Sequence, residues 1–278
     1  MKHKLLILTA ALASQVQAED NQIQGAPFLT VGNGGSCDYS SIQAAIDSTL
    51  SNVIRIASDK VYFENITIDD RDMVLTGGYA DCSAAESNIT DTSLALLNGG
   101  GNDPAIIISG NNQMNDVDIR YLQLAVGTVG LASSADVNLS VDNVTLISNS
   151  TYGALFLNGD QHVTFNDVTV NSNQGSGIAC TGAEVSISIE GNSVVSPNNA
   201  INSGGGLLAT DGCRTNVYAP TEIYGNTAIK HGGGVAVYNG SIVNLNGFEI
   251  SNNQADFDGD NDGNGGAVYV AGEFSKVN

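Results

Sequence analysis

The sequence predicts an all-β solenoid, a single-stranded parallel β-helix with a short capping helix near its start. Three observations predict it. A glycine followed by a short apolar stretch recurs at Gly130, Gly153, Gly177, Gly206, Gly234 and Gly266, in steps of 23, 24, 29, 28 and 32 residues. An aliphatic residue stands three positions before an asparagine in Leu146…Asn149, Val170…Asn173, Val195…Asn198, Ile223…Asn226 and Ile250…Asn253. Between these two tracks lie short runs that alternate apolar and polar residues, such as Val137–Val141, Val185–Ile189 and Ile242–Leu245. Self-similarity at this period marks units that cannot bury an apolar face alone and must stack. Period-two alternation in such short runs means strands with one buried face. No amphipathic stretch of helical length separates them, which excludes alternating β-α-β units. Consecutive repeats then stack in register as parallel strands, in about seven to nine coils.

Composition agrees. Of 278 residues 33 are Gly, none is Trp and only four are Pro. A narrow interior suits Val, Ile, Leu and Ala, and Gly and Asn suit turns that need left-handed backbone angles. Stacked asparagines can also hydrogen-bond along the coil axis.

Taken in order, residues 1–18 read as a secretory leader. Met1-Lys2-His3-Lys4 is basic, Leu5 to Ala13 is apolar, and Val16-Gln17-Ala18 is a small-residue cleavage site. The apolar stretch is about half the ~20 residues a membrane span requires. No later segment is apolar enough to span, so export to an extracellular or outer-membrane location is expected. Residues 19–52 form an N-terminal segment and cap, and residues 53–278 the β-helix. In the cap, Ser40-Ser41-Ile42-Gln43 has capping-box spacing, and Ile42, Ala45 and Ile46 line one face of a short helix. Strands follow at Val53–Ile56, Asn65–Ile68 and Met73–Leu75, with a turn at Gly77–Cys82. Residues 83–128 blur the repeat. Export makes Cys37, Cys82, Cys180 and Cys213 an even set in an oxidising compartment, with three pairings open. The local pairing, Cys37–Cys82 and Cys180–Cys213, is favoured because adjacent coils bring such residues together.

The sharpest chemical signal is Asp258-Gly259-Asp260-Asn261-Asp262-Gly263. Alternate carboxylates can converge on one hard cation, with glycine allowing the sharp turn between them. Asp256 and Asn264 could add oxygens. The closing glutamate of an EF-hand is missing, because Tyr269 holds its position. A looser Ca²⁺ site is expected, against the plain reading of an acidic, solvated turn.

Other chemistry is sparse. Without Lys2 and Lys4 the net charge of −20 becomes −22, which repels polyanions unless Ca²⁺ bridges them. Lys230-His231 is the only basic pair in the repeats, on a turn where a base could reach substrate. Asp116 and Asp118 alternate onto one strand face and are a candidate carboxylate pair, as well as an ordinary outward pattern around a buried Val117. Asp69, Asp70 and Asp72 form another acidic cluster. No basic stripe exists for nucleic acid. Gly204–Gly206 and Gly232–Gly234 lie between strands and are not dinucleotide loops.

Several segments carry a resemblance. Cys37-Asp38-Tyr39-Ser40-Ser41-Ile42-Gln43-Ala44-Ala45-Ile46-Asp47, Glu64-Asn65-Ile66-Thr67-Ile68 and Leu75-Thr76-Gly77-Gly78-Tyr79 resemble the opening of bacterial right-handed parallel β-helix proteins of the pectate-lyase-like superfamily. Ile223-Tyr224-Gly225-Asn226 through Gly232-Gly233-Gly234-Val235, and Gly265-Gly266-Ala267-Val268, resemble the repeats of polymorphic outer-membrane and autotransporter passenger proteins, with Ile, Val or Leu usually replacing Phe. Together they cover roughly residues 30–278 and imply a right-handed coil. A lyase of this fold implies a Lys or Arg base and cations at a uronate. The Gln-Asp…Asp-Phe…Arg pattern of pectin methylesterases and the Gly-His-Gly of polygalacturonases are absent. Relatives of the second kind often end in an anchoring barrel, so a missing C-terminal region, or a partner covering the last coil, is expected.

The expectation is a secreted or cell-surface structural, adhesive or carbohydrate-binding module, stabilised by Ca²⁺, with polysaccharide or cell-surface glycans as partners. Tyr121, Tyr152, Tyr238 and Tyr269 are candidate stacking residues for sugars. The alternative is a Ca²⁺-dependent polysaccharide-degrading enzyme, in which Lys230, His231 and the acidic loop converge on one groove.

Overall fold

The computed structural model describes residues 28–278; the expected leader, residues 1–18, lies outside the described residues. The described chain is a parallel β-solenoid of about nine turns with two six-residue helices. Each turn contributes one strand to each of three parallel sheets, of ten, eight and eight strands. Sheet A runs from Phe28–Val31 to Lys276–Val277, and sheet B from Val61–Phe63 to Glu249–Ser251. Sheet C begins at Ile66–Asp69 and continues through Ile106–Ser109, Val129–Ser133, Tyr152–Leu157, Ile178–Thr181, Leu207–Thr210, Val235–Tyr238 and Val268–Ala271. Residues 83–128, blurred in sequence, continue the same winding in all three sheets.

The alternating runs point every second side chain into one apolar lumen. Val163 and Phe165 face inward beside Ile187 and Ile189 on the next coil, in register. Phe156 and Phe165 meet edge to face at 5.9 Å. Each such side chain contributes roughly 1.5–3 kcal/mol by leaving water.

The two sequence tracks meet at one corner. Asn149, Asn173, Asn198, Asn226 and Asn253 stack at the bend between sheets B and C. Each side-chain amide donates to the carboxamide oxygen of the next, at 2.9, 2.8, 3.0 and 3.0 Å. That oxygen also accepts the preceding asparagine's backbone N–H, and the Nδ2 of Asn173, Asn198 and Asn226 also donates to a buried carbonyl. The bend's polar groups are thereby satisfied inside the coil. The repeating glycine lies against this stack. A Cβ on Gly177 would sit 2.7 Å from Val195 Cγ1 and 2.8 Å from both Asn198 Nδ2 and the Gly206 oxygen, so only glycine fits. Aliphatic residue, asparagine and glycine are one packing unit.

The uneven repeat length has a single source. Turns from sheet C to sheet A hold three residues in each of five successive coils, 134–136, 158–160, 182–184, 211–213 and 239–241. In the same coils the turns from sheet A to sheet B hold two or three residues; the one long segment of that kind, 80–94, lies earlier and carries the Cys82–Ser87 helix. The turns from sheet B to sheet C grow: 126–128, 148–151, 172–177, 196–206, 225–234 and 252–267. The long ones stack on each other. Asn199–Ala200 pairs with Thr227–Ala228 as a fourth, two-stranded sheet, and Thr227 bridges to Gln254. The inserted residues therefore build an ordered wall along one side of sheet C.

Two details at the start of the coil correct the sequence reading. The helix cap is Ser41, not Ser40, and its hydroxyl accepts from the Ala44 N–H. The acidic partner comes from Glu64, whose carboxylate accepts from the Ile42 and Gln43 N–H groups and from the Ser41 hydroxyl. A carboxylate on the next coil can satisfy the orphan N–H groups as well as a local one. The expected turn at Gly77–Cys82 is strand as far as Tyr79, and Asp81 then caps a helix, Cys82–Ser87. Short Ala and Ser residues gave no apolar stripe to reveal that helix. The strand Val61–Phe63 is also new.

Both local disulfides form. Cys37–Cys82 ties the first residues to the Cys82–Ser87 helix, and Cys180–Cys213 lies in the lumen between adjacent coils, both sulfurs' residues fully buried. No described cysteine is free, which fits an oxidising compartment. No helix among the described residues is long and apolar enough to cross a membrane.

Candidate functional site

Two surfaces gather the chemistry-bearing residues. The first is a groove of about 400 Å³ on the outer face of sheet A, lined by Asp116, Asp118, Asn138, Ser140, His162 and Thr164. Asp116 and Asp118 do point outward around a buried Val117. Both are engaged. Arg120 donates to Asp118 through Nε at 2.8 Å and again through its terminal nitrogen, a bond that raises the guanidinium above its ordinary value. Asp116 accepts from Asn138 Nδ2 at 2.9 Å. His162 pairs with Asp160 at 3.3 Å, both exposed. Asp69, Asp70 and Asp72 tie turns together through Ser109 and the Asn112 and Asp116 N–H groups. A hydrolytic pair needs one carboxyl free to give a proton; here both act as acceptors in outward rows of the sheet.

The second surface lies beside sheet C, under the wall of long turns. A smaller cavity, about 90 Å³, sits between the turn residues Ile201–Ser203, the outward Leu208 and Tyr152. One coil further, Tyr238 donates to Ser203 Oγ at 2.9 Å, and that oxygen also accepts the His231 N–H. Partial burial raises the Tyr238 phenol above its ordinary value. The His231 ring stacks on Tyr269 at 4.2 Å, and Tyr238 tilts against Tyr269 at 5.7 Å. His231 Nδ1 accepts the Asn264 N–H at 3.1 Å, which places the proton of the neutral ring on Nε2. The Lys230 carbonyl accepts the Asp256 N–H. Lys230, His231 and the acidic loop are thus neighbours, and three of the four candidate tyrosines share this side. Tyr121 does not: it sits at the bend between sheets A and B, against Gly78.

Within the acidic loop, Asp256, Asp258 and Asp260 each bring a carboxylate oxygen within 4.8 Å of the others. Oxygens that far apart can share one Ca²⁺ at its usual ~2.3–2.6 Å. Asp262 is outside this group of carboxylates and donates its N–H to Asp260; the backbone N–H of Asn264 donates to His231. Asp256 also accepts the Asn261 N–H, which folds the loop over its own carboxylates.

The second surface is the candidate binding side. The sheet A groove is larger, but both its carboxylates are engaged by Asn138 and Arg120. Insertions in a repeat protein often collect on the face that binds. The sequence marked Lys230, His231 and the tyrosines singly; Ser203, Ile201 and Leu208 carried no signal apart from the lengthened repeat. No family model matches the chain, and no curated protein matches it.

Proposed function

We propose that this chain is an exported, extracellular or cell-surface β-helix module that binds carbohydrate along the side where its long turns stand over sheet C. The observation that supports this is the concentration of the inserted residues in one stack of turns, with aromatic side chains at its foot. A solenoid offers a long, rigid, regular surface, which suits a polymer with a repeating unit. Tyrosines held by ring contacts and hydrogen bonds give sugar rings a preorganised apolar face with a polar edge. The likeness of the opening and of the glycine-rich repeats to pectate-lyase-like and outer-membrane passenger proteins agrees with this reading. Ca²⁺ enters it as a stabiliser of the longest turn, held by Asp256, Asp258 and Asp260.

Co-sedimentation with a panel of insoluble polysaccharides tests it. The protein is expected to be retained by at least one, and Tyr152→Ala combined with Tyr269→Ala to reduce retention at least fivefold. Retention by none, or retention unchanged in the double variant, would overturn the reading. Ca²⁺ is expected to raise the melting temperature of the protein but not of Asp258→Asn; equal shifts in both would remove Ca²⁺ from the account.

A further inference from the structure

Sheet C differs from its two companions in charge. Across seven coils, from Ile106 to Ala271, none of its strands contains Asp, Glu, Lys or Arg. The chain carries 29 acidic and 9 basic residues; sheet B is likewise uncharged from Val61–Phe63 through Val194–Val195, but it gains Glu222 and Glu249 in the coils with the longest turns, whereas sheet C carries a charge only at Asp69 in its first strand. Sheet A strands carry Asp116, Asp118, Arg120, Asp142, Glu190 and Arg214, and sheet B strands carry Glu222 and Glu249. Acids instead line one border of sheet C and cluster at the end of the other. Asp136, Asp160, Glu184 and Asp211 occupy its short turns on one side, and Asp256, Asp258 and Asp260 end the wall on the other.

The outward side chains form rows along the coil axis. One row runs Leu155, Ala179, Leu208, Ala236, Tyr269, in register from coil to coil. Bulky and small residues alternate; Ala179 and Ala236 are 3% and 0% exposed, so the row is open to a ligand at Leu155, Leu208 and Tyr269. The neighbouring row begins Leu157, Thr181, Thr210. Thr181 Oγ1 and Thr210 Oγ1 are 2.9 Å apart, and Thr210 donates on to Asp211 at 3.1 Å. Thr210 having given its proton to Asp211, Thr181 must donate to Thr210. The chain then faces outward with lone pairs only, ready to accept from hydroxyl groups.

We propose that the ligand is an uncharged glycan laid parallel to the coil axis over sheet C, with ring C–H faces on Leu155, Leu208 and Tyr269 and hydroxyls donating to the Thr181–Thr210 pair. This deepens the carbohydrate reading and rests on it. Strands of adjacent coils lie about 4.8 Å apart, comparable to the rise of one sugar in an extended chain, so the bulky side chains of every second coil can meet alternate units. A uronate chain would approach past the carboxylates of the short turns, and its repeated charges would find no cation on the strands and only Lys230 along the long turns. A cationic glycan would be drawn to the borders and find no carboxylate on the floor itself.

The test is titration calorimetry with linear hexasaccharides in EDTA: a neutral set (xylohexaose, mannohexaose, cellohexaose), hexagalacturonate and chitosan hexamer. At least one neutral hexamer is expected to bind at least tenfold more tightly than either charged one. Leu208→Lys should reduce that affinity at least tenfold, as should Thr181→Lys, with melting temperatures reported beside each. Preference for hexagalacturonate or chitosan would overturn the inference and leave the carbohydrate reading standing. Binding by no hexamer would overturn both. A monomer–dimer equilibrium in sedimentation velocity, abolished by Leu208→Lys with no glycan bound, would assign the face to a second copy and overturn it as well.

Discussion

Asn198→Ala will destabilise the coil by about 3–5 kcal/mol, because each buried group stranded without a partner costs roughly 1–3 kcal/mol. Asn198 is 2% exposed and sits in the middle of the ladder. Its carboxamide oxygen accepts from Asn173 Nδ2 and the Asn173 N–H, at 2.8 and 3.2 Å. Its amide donates to the Val170 carbonyl and to Asn226 Oδ1, at 2.9 and 3.0 Å. Truncation strands the buried Asn173 N–H outright, takes one of two donors from the Val170 carbonyl, which keeps the Ser196 N–H, and removes the ladder bonds to Asn173 and Asn226 on both sides. Water cannot replace these bonds at a packed bend without opening the lumen. Denaturant midpoints measured beside Asn192→Ala provide the comparison. Asn192 is exposed and bonds Asp167 at the surface, so its loss should cost no more than about 0.5 kcal/mol. Equal effects from the two changes would show that the ladder contributes little.

Removing the interior disulfide comes next in size. Cys180 and Cys213 are both 0% exposed and 33 residues apart. The loop-closure relation for that separation gives about 4 kcal/mol for replacing both by Ala. The two bridges should also respond differently to reductant. Cys180–Cys213 is sealed in the lumen, whereas Cys37 is half-buried beside the exposed Asn33–Ser36 segment. Thiol exchange requires access to sulfur. Dithiothreitol without denaturant should therefore open Cys37–Cys82 first, as read by mass after alkylation. Simultaneous opening of both would mean that the coil breathes at residues 180–213.

Most of the fold was legible because it repeats. Gly177, Val195 and Asn198 each have a bland local identity, and only their recurrence at fixed offsets exposes the corner they build together. Periodicity also located the strands, since Val163-Thr164-Phe165 and its counterparts must alternate to fill one lumen. Where the chain does not repeat, local reading fell short. Glu64 caps a helix 22 residues upstream of itself, a contact that no spacing rule encodes. The helix Cys82–Ser87 packs with Ala85 and Cys82 alone, too little apolar surface to announce a face. The candidate site was half visible. The growing repeat length was plain, but a length does not say which turn receives the extra residues. The step from asparagine to glycine, 4 residues at Asn149–Gly153, 8 at Asn198–Gly206 and 13 at Asn253–Gly266, does, and the strand bounds show that this step is the turn from sheet B to sheet C. That placement brings the Asp256 loop onto Lys230, as expected for one shared groove, and adds Tyr269 against His231, a contact the sequence did not offer.

The location of the binding face is tested most directly by amide hydrogen exchange on the protein bound to the polysaccharide that retains it. Slowed exchange is expected in the long turns 196–206 and 225–234 and in the sheet C strands beside them, with sheet A unchanged. Protection centred on the strands of Asp116, Asn138 and His162 would contradict the assignment and move the site to the groove on sheet A.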